Sequence, residues 1–563
     1  MESVDKDSRE TSATHAELSQ RNAPNNYYGL TYRTVLVFLA ITMISFVQVV
    51  NLIAAGSLST AIVAELGGSN SQIWLSQAIA ITTCVLAFPV SQAADYWGRR
   101  WLIFISTLLG SIGCIIVSRA ESMNAAIAGE VVTGLSYSCQ PLLYAVASEI
   151  LPRRVRPLAQ GGMNISIALG GVFALLVGGL FGSSFVGGFR VFWYIIAGLY
   201  FISAALFIVC YNPPLRSTQL SHTGKEKLAK LDWTGFCLIA SGLTLFSLSL
   251  TWSGNPYSWN DAHIIVPFVI SITLIIAFLI FEIRFKRDGI LHHGLFASRN
   301  FAISITGIFI EGMNFFAATN YFSYEITVLY DDDVFFASLK FTITFFVAIV
   351  ASLFVSIYAS KSKKLRWPIV FAYCCFTVFD ALMASLTLDG AIFLWIWPIF
   401  LGLGLGFCLT CLVTAGQISS SPELIALSSG LMFSMRSVGG TIGLPIYSAL
   451  FSTGTAKLSP NIASAVLPLN LPEQSLPGFM SALLNNDQAA LQLISGVTPQ
   501  ILEAGENAVK QTYLNSFRNV WLFTVVVSAA GILVTFFTKD SDASFDMHVD
   551  APLEDPGPRF RDL

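Results

Sequence analysis

Charge is what this sequence most lacks. Of its 563 residues only 12% are Asp, Glu, Lys or Arg, where a soluble domain carries about a quarter. That scarcity excludes an ordinary water-soluble globule. An excess of base is missing as well: the net charge is -3 and the pI lies near 6.1, so nothing draws the chain to nucleic acid. The nine cysteines, Cys84, Cys114, Cys139, Cys210, Cys237, Cys374, Cys375, Cys408 and Cys411, all fall inside apolar segments. Neither a disulfide framework nor a zinc site is expected from them, and the neighbours Cys374 and Cys375, like Cys408 and Cys411, read as thiols packed on helices. There is no nucleotide-binding loop, no H-E-x-x-H and no nucleophile elbow, so an enzyme, a cofactor and a bound metal are not expected. Residues 1–32 lack the basic start, apolar core and cleavage site of a secretory signal and read as a cytosolic tail.

Long hydrophobic runs are what the chain has instead. Hydrophobic residues make up 54% of it and the mean hydropathy is +0.67, spread along most of the length, so the apolar surface must face lipid. Crossing a hydrocarbon layer of about 30 Å takes about 20 apolar residues, and lipid permits only helices or a closed barrel. The runs are too long for barrel strands. They predict fourteen helical spans, near 34–56, 73–94, 101–119, 124–148, 158–180, 190–211, 233–251, 264–284, 301–322, 334–358, 368–388, 391–414, 425–451 and 519–538. An even number puts both tails on one side.

Lys and Arg gather at the cytoplasmic face of membrane proteins. Here the loops after spans 2, 4, 6, 8 and 10 hold Arg99 and Arg100; Arg153, Arg154 and Arg156; Arg216, Lys225, Lys227 and Lys230; Arg284, Lys286, Arg287 and Arg299; and Lys361, Lys363, Lys364 and Arg366. The opposite short loops offer Arg119 and Arg190. Both termini are therefore expected in the cytosol, with Asp331, Asp332 and Asp333 facing out. One outward loop, 452–517, is long enough to hold structure. In it, Thr498-Pro499 opens an amphipathic stretch to Phe517 that reads as a capped helix lying over the outer mouth. The N-x-S/T match at Asn164 falls inside span 5, so glycosylation is not expected.

The turn after span 2 reads Asp95-Tyr96-Trp97-Gly98-Arg99-Arg100. An acid, a permissive glycine and two bases in a short connection make a charge lock, the acid meeting an arginine or a helix N-terminus of the opposing bundle when the inner side shuts. The string resembles the signature G-x-x-x-D-x-x-G-R-R of the major facilitator superfamily, with Ser91 in place of its first glycine. Glu149 followed by Pro152-Arg153-Arg154-Val155-Arg156 resembles the acid-then-base loop that faces that signature. The resemblance implies a cytoplasmic gate of Asp95, Gly98, Arg99, Arg100, Glu149, Arg153 and Arg156. Asp232-Trp233-Thr234-Gly235 is similar to the D-W-x-G that opens the two extra helices of fourteen-span drug:proton antiporters. The stretch from Phe309 to Tyr330, the outward loop and the run Arg436 to Gly443 resemble fungal trichothecene efflux pumps and their siderophore-transporting relatives.

That resemblance implies an all-α polytopic membrane protein of the major facilitator fold, two six-helix bundles with two inserted linker helices. The expected divisions are a tail 1–32, an N-terminal bundle 33–211, a basic linker with two extra spans 212–300, a C-terminal bundle 301–538 and a tail 539–563. In span 5 the family's G-x-x-x-G-P-x-x-G-G run survives as Gly170, Ala174, Leu175, Gly178 and Gly179, without the proline. A degenerate echo of the first signature, Tyr358 to Lys364, follows span 10 without its acid and glycine.

Ionisable groups inside lipid cost several kcal/mol, so those that persist line a cavity or have a partner. Glu311, Asp380 and Arg436 fall near the midplane of their spans, and Glu130 and Lys340 in the outer third. Glu130 stands where related antiporters place an arginine in R-x-x-x-G. The expected proton-coupling groups are Glu311 first, then Glu130, with Asp380 as a further candidate and Arg436 as a fixed positive partner. Structural ion pairs are the plainer alternative for each. Gln48, Asn51, Asn314, Asn320 and Tyr321, with Phe315 and Phe316, are candidate contacts for an amphipathic solute.

The leading expectation is export of a small amphipathic toxin or drug by proton antiport. Siderophore-iron uptake by proton symport and a non-transporting membrane sensor or scaffold are the alternatives. The expected partners are protons, a small-molecule substrate and lipid, in a monomer. The plasma membrane is the expected location, a vacuolar or vesicle membrane the alternative.

Overall fold

A computed structural model describes residues 31–540 apart from 69–70, 185–186, 214–222, 253–256, 259, 287–288, 290, 331–333, 422–423, 485–490, 492 and 495. The two tails, Arg216, Arg287 and the Asp331 to Asp333 run thus lie outside the described residues. Among those described, twelve helices are long and apolar enough to cross a membrane. They are spans 1 (Tyr32–Ser57), 2 (Trp74–Trp97), 3 (Arg99–Ser118), 5 (Arg156–Ser184), 6 (Gly188–Cys210), 7 (Trp233–Trp252), 8 (Ala262–Arg284), 9 (Arg299–Tyr330), 10 (Val334–Ser362), 11 (Arg366–Ala384), 12 (Pro398–Ile418) and 14 (Pro499–Thr535).

The two remaining runs are helical but fall outside that measure for different reasons. Span 13 is a continuous helix, Ile425–Thr455, whose serines, glycines and arginine dilute its hydropathy. Span 4, read from the sequence as one helix, is two: Met123–Tyr137 and Gln140–Glu149. Pro141, in the first turn of the second piece, has no N–H to donate and its ring crowds the carbonyl four residues back, so the ladder stops at Ser138–Cys139.

Spans 1–6 pack together as one bundle and spans 9–14 as another. The bundles meet where span 5 lies along span 10 and span 2 along span 13. Spans 7 and 8 pair with each other, and span 7 also packs on spans 2 and 13. Span 8 has the highest mean hydropathy, 3.0, and the smallest buried share, 17%, as befits a helix with lipid on most sides. The pair is anchored at its basic end, where Lys286 Nζ lies 3.0 Å from Asp232 Oδ1 and the Gly235 amide donates to the same oxygen at 3.1 Å. Burial opposes the charge on Asp232, but hydrogen bonds from Glu282, Gly235 and Lys286 prevail and hold its carboxyl below the ordinary range.

The end away from the basic loops carries a helical cap. Helices Leu458–Val466 and Leu476–Leu484 close around Ile462, Val466, Phe479 and Ile501, a small core separate from the main one. Thr498 caps the following helix as expected, its hydroxyl accepting from the Ile501 amide at 3.3 Å. That helix does not end at Phe517 to lie across the mouth, however. It runs unbroken into span 14 for 37 residues, because nothing between Phe517 and the apolar run breaks the ladder. The Phe451 and Phe517 rings meet at a tilt, 4.8 Å apart, and Tyr321 joins them, tying spans 9, 13 and 14 together beneath the cap.

Candidate functional site

At the basic end, Gly98 terminates span 2 with φ +86°, a turn that other residues would strain. Arg99 and Glu149 form a buried ion pair, and Arg100 donates to Asn212 at 2.6 Å and to the Ile208 carbonyl at 2.9 Å. All of these contacts lie within the first bundle. Arg156 donates to the Ser148 carbonyl at 3.3 Å, also within it, and Arg153 sits in a 3-10 turn, Arg153–Val155. The Asp95 side chain lies outside what is described.

The described hydrogen bonds and ring contacts that cross between the bundles at this end are neutral. Ser148 donates to Gln417 Oε1 at 2.5 Å and Gln160 donates to the same oxygen at 3.1 Å, while Gln417 in turn donates to Ser429 of its own bundle at 2.8 Å. Asn164 donates to Thr410 at 2.9 Å, and the Tyr144 and Phe433 rings meet at 4.1 Å. At the opposite end Gln77 donates to Ser247 and, at 3.4 Å, to the Thr441 carbonyl. The bundles therefore touch at both ends.

Between these two closures lies a small cavity lined by Leu52, Ile79, Ala80, Thr83, Tyr137, Gln140, Phe316, Arg436 and Ser437. Both bundles contribute to it. Arg436 is held from behind by Glu311: Nε donates to Oε2 at 2.7 Å and Nη2 to Oε1 at 2.9 Å, the bidentate geometry in which arginine binds a carboxylate best. Its guanidinium also lies 4.3 Å from the Phe315 ring centroid, a cation–π contact. Gly312 permits this pair, since a Cβ there would come 3.0 Å from Arg436 Cα.

Three other buried acids, Glu130, Asp380 and Glu325, have neutral hydrogen-bond partners. Glu130 accepts from Asn51 at 2.8 Å and from the Trp193 indole at 3.1 Å. Asp380 Oδ2 lies 2.5 Å from the Ser528 hydroxyl, which is 2.9 Å from Asn314 Oδ1. Glu325 accepts from the Trp521 indole at 2.7 Å. Each is inside a bundle rather than on the cavity wall. Lys340 lies 5.8 Å from the Trp395 ring centroid.

A family model for the fungal trichothecene efflux pump (TRI12) matches residues 1–561. The chain belongs to the fungal trichothecene efflux pump family. Its similarity to named members of this kind extends over most of its length. It is 22% identical to the trichothecene efflux pump TRI12 of Trichoderma arundinaceum, covering 93% of this chain and 89% of that one. It is 22% identical to the efflux pump FUS6 of Gibberella moniliformis, covering 94% and 92%, and 24% identical to the acurin A cluster MFS-type transporter of Aspergillus aculeatus, covering 93% and 92%. Among solved structures it resembles a bacterial homologue of the lysosomal transporter Spinster in an inward-facing, unoccupied conformation, with TM-score 0.56, 16% identity and 90% and 98% coverage. It also resembles an auto-inhibited POT family peptide transporter, with TM-score 0.54, 13% identity and 92% and 99% coverage. The fold is that of the major facilitator superfamily, and the chain is a multi-pass membrane transporter rather than an enzyme.

In this efflux pump the expected solute contacts divide. Phe316 lines the cavity. Phe315 lies under Arg436, Asn51 serves Glu130, and Asn314 reaches Ser528. Asn320 donates to the Phe316 carbonyl at 2.9 Å, and Tyr321 belongs to the aromatic cluster under the cap. Gln48 donates to the Ser136 carbonyl at 2.7 Å, beside the break in span 4. Sequence reasoning missed Tyr137, Gln140 and Thr83 on the cavity wall, and Ser148, Gln160 and Gln417 at the closure. Pro141 was the available signal for the first pair. Glu325 was missed because span 9 was drawn to end at 322, whereas its helix continues to Tyr330.

Proposed function

We propose that the chain exports a small amphipathic toxin of the trichothecene kind from the cytosol in exchange for protons, in the plasma membrane, with both termini cytosolic and the basic loops facing in. The observation that carries this reading is the Glu311–Arg436 pair, set into the wall of a cavity to which both bundles contribute. In the paired state the two charges cancel, so that a neutral solute can bind beside them once the bundles part. A proton on Glu311 releases the guanidinium to swing into the space that the solute occupies. Proton and solute then exclude each other, which is the requirement for exchange rather than cotransport. Rocking of the bundles alternates the two closures, the neutral one at Gln417 and the one at Gln77.

The test is accumulation of a radiolabelled trichothecene in inside-out vesicles from cells expressing the chain. An imposed inward-acid gradient should drive uptake at least severalfold above vesicles treated with a protonophore. Uptake indifferent to the gradient would refute the antiport reading. A deletion strain that loses growth on siderophore iron but keeps its toxin resistance would favour uptake by symport instead.

A further inference from the structure

We infer that the break in span 4 builds a subsite for a hydrogen-bond-accepting oxygen of a neutral solute, an ester or ketone carbonyl, with the Tyr137 hydroxyl and the Gln140 amide as its donors. The inference rests on the export reading and names the solute chemistry at the same cavity.

Three observations converge on it. Tyr137 is the last residue before the break and Gln140 the first after it, and both line the cavity. They are only 3% and 2% exposed, yet the Tyr137 hydroxyl and the Gln140 amide nitrogen have no hydrogen-bond partner among the described residues. A buried donor without a partner is costly, and two beside one cavity point to an acceptor that arrives from outside.

Charge decides between a neutral and an anionic acceptor. The Arg436 guanidinium on the facing wall is already matched bidentately by Glu311. A carboxylate entering the cavity would bring an unmatched buried charge, whereas a carbonyl brings none. The Leu52, Ile79, Ala80 and Phe316 side chains on the remaining wall suit a hydrocarbon skeleton. Gln48, donating to the Ser136 carbonyl, acts as a positioning residue that keeps the break in place.

Binding to the full-length chain in nanodiscs tests this, with two radiolabelled probes: an acetylated trichothecene, and its analogue with each ester carbonyl reduced to an ether methylene. Wild type should bind the ester about tenfold more tightly or better. Tyr137→Phe and Gln140→Leu should each weaken the ester about tenfold and leave the ether affinity unchanged, which also shows that the variants are folded. Equal weakening of both probes, unchanged ester binding, or no binding of either probe by wild type would overturn the subsite. Ester binding by wild type with no movement across vesicle membranes would retain the subsite and overturn the export reading.

Discussion

Glu130 and Glu311 are both fully buried carboxylates on spans of opposite bundles, and their neighbours could hardly differ more. Glu130 faces an amide and an indole; Glu311 faces a guanidinium that grips both of its oxygens. The first acid is part of the packing between spans 1, 4 and 6 and is not on the cavity wall. The second reaches the cavity through Arg436. A buried acid takes part in solute exchange only when its change of charge is felt where the solute sits, and that condition separates the two better than burial does.

The largest effects are expected from splitting the charged pair. Arg436→Leu or Glu311→Gln should abolish gradient-driven flux, and Arg436→Leu should also cost about 3–5 kcal/mol by leaving one charge buried alone, read as a lower unfolding midpoint in detergent. Replacing both residues by Leu should recover most of the midpoint and none of the flux. Recovery of flux would erase the contrast with Glu130.

Gln417→Leu comes next, because it removes the shared partner of Ser148, Gln160 and Ser429. A cost of about 1–3 kcal/mol to the closed basic end should raise the reactivity of an Ala145→Cys reporter toward a membrane-impermeant maleimide, in a background without the native cysteines. Ala145 is buried against Ile425 and Ala426 of the other bundle, so unchanged labelling would show that the neutral network is not what holds this end shut.

How much of this was legible in the sequence follows the same division between charge and neutrality. The spans and the buried charges were readable because an apolar run or a charge in lipid violates an expectation that composition sets, whereas the two bundles were implied by the family resemblance alone. Glu311 and Arg436 were both singled out, though their pairing across 125 residues was not. The closure at Gln417 was invisible, since a glutamine in a helix raises no alarm and only the packing of span 12 on span 5 gives it partners. The lock was expected to meet the opposing bundle through its acid, Asp95, whose side chain lies outside the described residues; the described contacts of Arg99, Arg100 and Glu149 lie within one bundle, since signature spacing fixes a turn and not the surface it meets. The cavity wall was missed where a helix break, rather than hydropathy, decides which residues face inward.

Two smaller effects sharpen the comparison. Glu130→Gln should lower stability by about 1 kcal/mol, since Asn51 can turn its amide to suit the new side chain, and should leave gradient-driven flux within about twofold of wild type. Thr498→Ala removes a helix cap worth about 1 kcal/mol in the outer cap, measurable as a shift of the unfolding midpoint with solute transport unchanged.

The most direct test is to count protons released when an acetylated trichothecene binds to the purified chain in weakly buffered detergent solution. With the free protein first brought to a pH acid enough to protonate Glu311, wild type and Glu130→Gln should each release protons as the solute binds, and Glu311→Gln none. Release that persists in Glu311→Gln, or that vanishes in Glu130→Gln, would contradict the assignment of coupling to the Glu311–Arg436 pair.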